Sequence, residues 1–581
     1  IWFGEVSRTD EGWFAELAFP VKTLSFKPGA PHWGFNIKRR RVANGEDGRW
    51  ASPRIAYQFF QISEGGRLTG IEGLRQGIGL DVVPYVKYGA ERATSDDAFL
   101  SDWATGLDLR WRPTPTSTVL VTTNTDFAET EVDTRQVNIG RFPLFFPERR
   151  DFFLEDAGAF EFGLPSNRSQ LLPFFSRTIG RDDDGNVIPI LAGLKVTGRF
   201  GDWTVGALDT YVDEVPARPP SEGDDGREAI SRQNLGVIRL QRSLGDGRAV
   251  GAIVTSGDPA GDNGRYTAGA DMRLGSTRLF GEGRSGFLWA HVLGTSGESS
   301  EDSSGLAYGI ETQTRSTQWE TRARAQRTQQ GFDPALGFVR RTAVDRYQMG
   351  SDYTWRSENE ATLLRQVESG VDVVAERDRS GSEDRWSVPI DLFELQFWSQ
   401  DSIDLRVTRQ AERIDDAFDI GSAVVVPGEY DETRYRLGFE SNDRRLFGFE
   451  TSLEVGDYYG GDISRFHLEP IFIPNRFLAF AFTFLDVDID LEGVGGGAFR
   501  TQLYTWRVDV NVDQFTSWNT FVQYDTENKD LSTQSRLRWI IEPGRELFVV
   551  GLFGFFKDGS DASFQSGEQS LAVKLAYTFR F

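Results

Sequence analysis

The end of the chain alternates without a break. Leu571, Val573, Leu575, Tyr577, Phe579 and Phe581 fall on one face of an extended chain, and Ala572, Lys574, Ala576, Thr578 and Arg580 on the other. Successive side chains of a strand point to opposite faces, so this predicts a strand with one apolar and one polar side. The pattern recurs upstream. Tyr504, Trp506, Val508, Val510 and Val512 alternate with Thr505, Arg507, Asp509, Asn511 and Asp513. Ile403, Leu405 and Val407 oppose Asp404, Arg406 and Thr408, and Tyr435, Leu437 and Phe439 are set against Arg434, Arg436 and Glu440. A soluble sandwich alternates as well, with its polar face to water. The connections distinguish the two.

From residue 188 onward short and long connections take turns. Short ones lie at 200–202, 243–247, 275–277, 357–360, 441–444, 474–476 and 542–545, and long ones at 213–231, 256–264, 296–304, 329–344, 415–431 and 557–568. An up-and-down membrane barrel with tight periplasmic turns and longer outer loops has this order. In such a barrel about ten residues at roughly 3.3 Å each, tilted near 45°, cross an apolar band of about 25 Å. The charged faces must then line a wet interior, because an outward Arg at the bilayer midplane costs roughly 2 to 4 kcal/mol. The pattern gives about 21 strands between 188 and 581, one near 170–178, and three at 78–91, 101–112 and 117–126. Single-chain barrels usually have an even number, and the region 127–169 must carry the chain back from the outer side, either by hiding a strand or by threading the lumen. The prediction is an all-β chain: a large antiparallel transmembrane barrel of about 26 strands, with 24 as the alternative.

Composition agrees. No apolar run in the 581 residues approaches the roughly 18 to 20 that a membrane helix needs. The 45 Phe, 15 Trp and 15 Tyr suit aromatic girdles, and the 62 Gly suit turns. With no Cys, disulfides, thiolate metal sites and cysteine nucleophiles are excluded, and His32, His291 and His467 are too few for a multi-histidine centre. A net charge of −23 argues against nucleic acid as a partner. No hydrolase, zincin, phosphate-loop or dinucleotide motif stands in a suitable context, so an enzyme is not expected. A glycan hydrolase built on paired carboxylates ranks last among the functional readings, because 87 acids supply such pairs everywhere. Ile1 opens in what reads as mid-strand without a leader, although a barrel must be exported, so the precursor is expected to begin further upstream.

Two segments depart from the barrel texture. Residues 1–66 (EGWFAELAFP, WGFNIKRRR, GRWASPR) read as short strands of a partial β-sandwich in the periplasm, ahead of a barrel spanning 75–581. There Trp13, Trp33 and Trp50, with Trp2, are either core residues or a sugar-stacking platform. Residues 123–163 concentrate acids, arginines and phenylalanines without clean alternation. Arg141, Glu148, Arg149, Arg150, Asp151, Glu155 and Arg177 are expected to form an ion-pair network inside the barrel, with Phe145, Phe146, Phe152 and Phe153 packing it to the wall. The segment 127–169 would then fold into the lumen as a plug or latch. Asp126, Glu129, Glu131 and Asp133 form an acid cluster that is a candidate Ca²⁺ site, though not an EF-hand; otherwise they are partners for arginines.

The stretches WFAELAFP, WGFNIKRRR, NTDFAETEVD, RFPLFFPERRDFFLED, FFSRTIGR (174–181) and FVQYDTENKDLSTQSRLRWIIEPGRELFVV together resemble a family of bacterial outer-membrane proteins of uncharacterised function, labelled as carrying a carbohydrate-binding family 9-like domain. The chain departs from it at Thr125, where the family typically has proline, and its first domain resembles only the second half of the family's domain. The resemblance implies an outer-membrane barrel with an N-terminal periplasmic domain and leans toward a saccharide as cargo. Three functions follow as expectations. One is a gated or plugged conduit for a glycan or other polymer; the second is a closed scaffold holding a periplasmic or surface partner; the hydrolase comes third. The expected partners are outer-membrane lipid, a glycan and other envelope proteins, and no cofactor is expected unless the acid cluster holds Ca²⁺.

Overall fold

The structure is a computed structural model that describes residues 2–581 except 22–23, 25, 28, 42–45, 53–58, 61–63, 72, 75–76, 94–96, 128–129, 182–186, 218, 220–228, 246, 262–263, 277–282, 298–303, 360, 443–444 and 558–563. Strands pair in sequence order and in antiparallel fashion into one closed ring. The ring holds 25 strand segments; Gln565–Tyr577 and Phe579–Arg580 are one wall strand interrupted at Thr578, so the wall has 24 strands. The alternative count therefore holds, and 26 does not. The 21 strands read between 188 and 581 are present, as are the three at Leu80–Arg92, Leu100–Thr114 and Ser117–Thr123. The strand expected near 170–178 is not in the wall: Leu171–Leu172 pairs only with Phe338–Val339, and Ser176–Thr178 is a 3₁₀ turn.

The alternation places side chains as hydrophobic transfer demands. Tyr347, Met349, Leu437, Leu453, Trp506, Leu571 and Leu575 are exposed on the outside, whereas Lys574, between the last two, is buried on the inside. An apolar outer surface on a sheet without free lateral edges is the form in which strands cross a membrane, since every backbone group must be paired there. The chain is an outer-membrane barrel. Its closing seam joins the first and last wall strands, from Gln569 opposite Arg92 to Phe579 opposite Val82, and the Phe581 N–H donates to the Leu80 carbonyl at 2.9 Å. Both ends of the ring thus lie at the short-turn mouth.

Residues ahead of the barrel form three two-stranded pieces: Phe3–Thr9 with Gly12–Ala18, Trp33–Phe35 with Gly66–Leu68, and Lys38–Arg41 with Glu46–Arg49. The first hairpin is exposed throughout, whereas the other two pieces meet where the Trp50 N–H donates to the Ile37 carbonyl at 2.9 Å. Arg40 lines a cavity of about 230 Å³ with Arg365, Glu394 and Glu440, at the short-turn mouth.

Between the third wall strand, Ser117–Thr123, and the fourth, Ile190–Phe200, the chain makes one long excursion over residues 124–189. Both strands pair with each other, so the excursion leaves and re-enters at the same, long-loop mouth. It does not carry the chain across to the short-turn side, and it hides no wall strand.

Candidate functional site

The excursion departs at Asn124, which takes a left-handed φ of 52°, a conformation asparagine tolerates better than most residues. The Thr125 N–H then donates to the Ile190 carbonyl at 3.0 Å. A proline, the residue the resemblance would place here, has no hydrogen to give. Beyond this point the chain touches walls on opposite sides of the ring, which puts it inside the lumen.

Its second half is a packed root. A single helical turn, Asp151–Leu154, and 3₁₀ turns at Ala157–Phe160 and Pro165–Ser169 carry Phe153, Phe160 and Leu171 into an apolar cluster with the inward Leu208, Leu235, Ile253 and Leu293. Phe332 and Leu336, from a loop that folds in over the same cluster, are fully buried. Polar wall residues complete the root. Lys195, wholly buried, donates to the carbonyls of Phe152 and Glu155, the latter at 2.6 Å; these are the unpaired carbonyls at the end of the helical turn, where a cation is favoured. Arg239, 1% exposed, donates to the Glu161 carbonyl at 3.0 Å and pairs with Asp271 at 2.7 Å. Asp271 in turn accepts the Gly163 N–H at 3.1 Å. Arg324 donates to Ser166 at 2.8 Å and to Asn167. His291 packs edge-on to Phe162 with neither ring nitrogen hydrogen-bonded.

The first half is an arm held largely by charge. Glu131 pairs with Arg507 at 2.6 Å and with Arg149 at 3.2 Å. Arg135 pairs with Asp530. Gln534 holds both the Val132 N–H and the Thr130 carbonyl at 2.9 Å. Across the lumen Arg141 pairs with Glu383 at 2.5 Å and Glu412 at 2.8 Å. Burial alone would lower the Arg141 proton affinity; the bond to Glu383 and the charge of Glu412 outweigh it and raise it above its ordinary value.

The hinge between arm and root is the run Glu148 to Arg150. Arg150 donates to both Glu148 oxygens at 2.9 and 2.7 Å, to the Ile179 carbonyl at 2.8 Å and to the Ser176 carbonyl at 2.7 Å. Ser176 also donates to Glu148 at 2.8 Å. Burial pushes the Glu148 carboxyl up, but Arg150 and the surrounding donors push it further down, and the net shift is below the ordinary value. A depressed carboxylate contributes stability above its unfolded pKa of about 4.3, and that contribution is lost as pH falls through the folded value. We expect limited proteolysis of residues 130–150 in detergent to be slow from pH 7 to 5 and to accelerate below about 4.3. A cleavage rate unchanged down to pH 3 would contradict this role.

The expected network residues fall as follows. Arg141, Glu148, Arg149, Arg150 and Arg177 lie in the lumen; Glu155 pairs with Arg110 of the second wall strand at 2.5 Å. Asp151 is exposed and makes no ion pair among the described residues. Phe145 packs on Phe175 and Phe338 at 5.1 and 5.3 Å, and Phe146 lies under Arg177. Phe152 and Phe153 meet edge-to-face at 5.0 Å within the root. The acid cluster does not converge. Asp133 faces Arg177 and Arg149, Glu131 faces Arg507, and Glu129 lies outside the described residues. Asp126 sits between Lys87 at 2.8 Å and Lys574 at 3.7 Å, two lysines directly opposite each other across the closing seam. Among the described residues no three acidic or histidine side chains are grouped as a metal site. Of the tryptophans, Trp13 is exposed on the first hairpin, Trp33 packs on Phe26 at 5.4 Å, and Trp50 packs on Phe35 at 5.6 Å. Lys195, Arg239, Asp271 and Arg324 were not singled out from the sequence.

Residues 77–191, the first three wall strands with the whole excursion, match a family model described as a domain of unknown function, DUF5916. Comparison with curated proteins finds no match. Similar solved structures include OccAB3 of Acinetobacter baumannii, 10% identical over 86% of this chain and 99% of that chain with a TM-score of 0.28. The ferric preacinetobactin receptor BauA of the same organism is 9% identical over 85% of this chain and 80% of that chain, with a TM-score of 0.35. The copper transporter OprC is 9% identical over 89% and 83%, with a TM-score of 0.38. None of these likenesses assigns a cargo to this chain.

Proposed function

We propose that the protein is a gated conduit of the outer membrane rather than an enzyme, closed by the excursion at 124–189, with its arm as the moving part. The observation that carries this reading is the division of the excursion: an apolar root fixed to one side of the ring and a charged arm reaching the other side. Barrels of about 22 strands and more enclose a lumen that their own side chains cannot fill, and such barrels are plugged or occupied. The apolar contacts of the arm are few, Val137 and Ile139 on the wall and Phe145 on Phe175 and Phe338, and its ion pairs can part because freed charges are rehydrated. The cargo in this reading is a glycan or another polymer. The N-terminal hairpins lie in the periplasm, where the exposed indoles of Trp13 and Trp50 offer faces for pyranose rings.

The test is conductance in planar bilayers. Wild type is expected to stay closed, and Arg141→Glu, which sets like charges against Glu383 and Glu412, to show frequent openings, while Arg141→Lys stays near wild type. Steady conductance in wild type would overturn the gate. The apolar root favours one second reading, a permanently closed scaffold for envelope partners, and an Arg141→Glu variant as silent as wild type would select it.

A further inference from the structure

Behind the arm, in the long-loop half of the barrel, lies a cavity of about 450 Å³. That volume is within the range of roughly 300–1,000 Å³ typical of small-molecule sites. One side is the arm itself. Val137 and Ile139 pack onto an apolar cluster of the wall, which leaves the alternate residues Gln136 and Asn138 exposed in the cavity. The other side is the wall and the inward loop, which present Arg340, Arg385 and Arg434 beside one carboxylate, Glu412.

The charges here are unevenly answered. Glu412 is already engaged by Arg141 at 2.8 Å and by the Tyr459 hydroxyl at 3.2 Å, and stands 4.0 Å from Arg385. Arg434 has Glu454 at 3.3 Å. Arg340 has no carboxylate within ion-pair distance among the described residues, and its side chain is exposed into the space. Burial and the positive charge of Arg385 lower its proton affinity. Arg340 and Arg385 thus face one polar, roomy cavity, with Glu412 4.0 Å from Arg385 and the charge of Glu376 acting on both from further off, an arrangement that an anion lying between them stabilises.

We propose that this cavity is a binding site for an oxyanion on a small polar solute, a phosphate, sulfate or carboxylate group seated between Arg340 and Arg385. Planar guanidinium forks match such groups in bidentate fashion, and the amide of Gln136 serves the polar remainder of the solute, that of Asn138 being held by the Phe142 carbonyl and the Gly140 N–H. The site is formed with the arm seated and does not require the arm ever to move, so it goes beyond the conduit reading and does not rest on it.

The probe is inorganic phosphate, titrated calorimetrically into the full chain in detergent at low ionic strength. Wild type is expected to show saturable binding. Arg340→Gln, a change at an exposed side chain, should weaken it by roughly tenfold, about the worth of one charge-assisted hydrogen bond, and Arg340→Gln with Arg385→Gln should abolish it. Arg409→Gln, an exposed arginine paired with Asp431 away from the cavity, should bind as wild type does. Absence of saturable binding by wild type up to about 20 mM, or equal binding by wild type and Arg340→Gln, would overturn the proposal, and so would an equal loss in the Arg409→Gln control.

Discussion

Removing residues 134–160 should convert a closed barrel into a wide pore. The deletion takes out Arg135, Arg141 and the hinge at Glu148 to Arg150, together with Phe153 and Phe160 of the root. What remains is a ring of 24 strands in which residues 161–189 and the loop carrying Phe332 and Leu336 still pack one side of the lumen. Barrels of about 16 to 18 strands already leave an aqueous channel, so conductance should rise by roughly tenfold or more over wild type. The wall strands that carry the ring are untouched, and the characteristic heat-modifiable migration of a folded barrel on a gel should persist. A deletion variant that stays folded and conducts no better than wild type would mean that other residues close the lumen.

Replacing Arg239 by Met should be the most damaging single change to the root. Arg239 is 1% exposed, and its partner Asp271 would be left as a buried charge with only the Gly163 N–H for company. Breaking a buried pair on one side costs about 3 to 5 kcal/mol, whereas replacing both partners by apolar groups is often close to neutral. The double change Arg239→Met with Asp271→Leu should therefore recover most of the loss. About 1 kcal/mol should remain for the Gly163 donor that loses its acceptor. Urea unfolding followed by tryptophan fluorescence, with proteolysis of residues 150–165 as the local readout, measures both. A single variant as stable as wild type would show that the pair does not hold the root.

The wall was legible because the membrane enforces it. A strand such as 504–512 must be apolar toward lipid and is free to be polar inside, so its period shows without a structure. The error at 170–178 has a physical source in the same rule: the apolar run around Phe174 and Phe175 is apolar because it packs on Phe160 and Phe145 within the lumen, not because it faces lipid. The arm was readable as an ion-pair segment, but its partners were not. Arg507, Glu412 and Asp530 look like any other inward polar residue, and what distinguishes them is a contact hundreds of residues away. Lys195 and Arg239 left a fainter signal, each a lone cation in the apolar stretches ILAGLKVTG and LGVIRL. The acids from Asp126 to Asp133 read from spacing as a cation site or as partners for arginines; Asp133 meets Arg177 and Arg149 of the same excursion, while Asp126 and Glu131 also take cations from wall strands.

The position of Asp126 bears on how the barrel is assembled. Lys87 and Lys574 face each other across the closing seam, between strands separated by almost the whole chain, and each repels the other. Closing so long a loop is slow on entropic grounds alone. Asp126 lies just beyond the third wall strand and pairs with both lysines. It turns a repulsive encounter into a docking point. The start of the lumenal segment is therefore also a stitch in the wall, tying together two strands that meet only because the ring is closed.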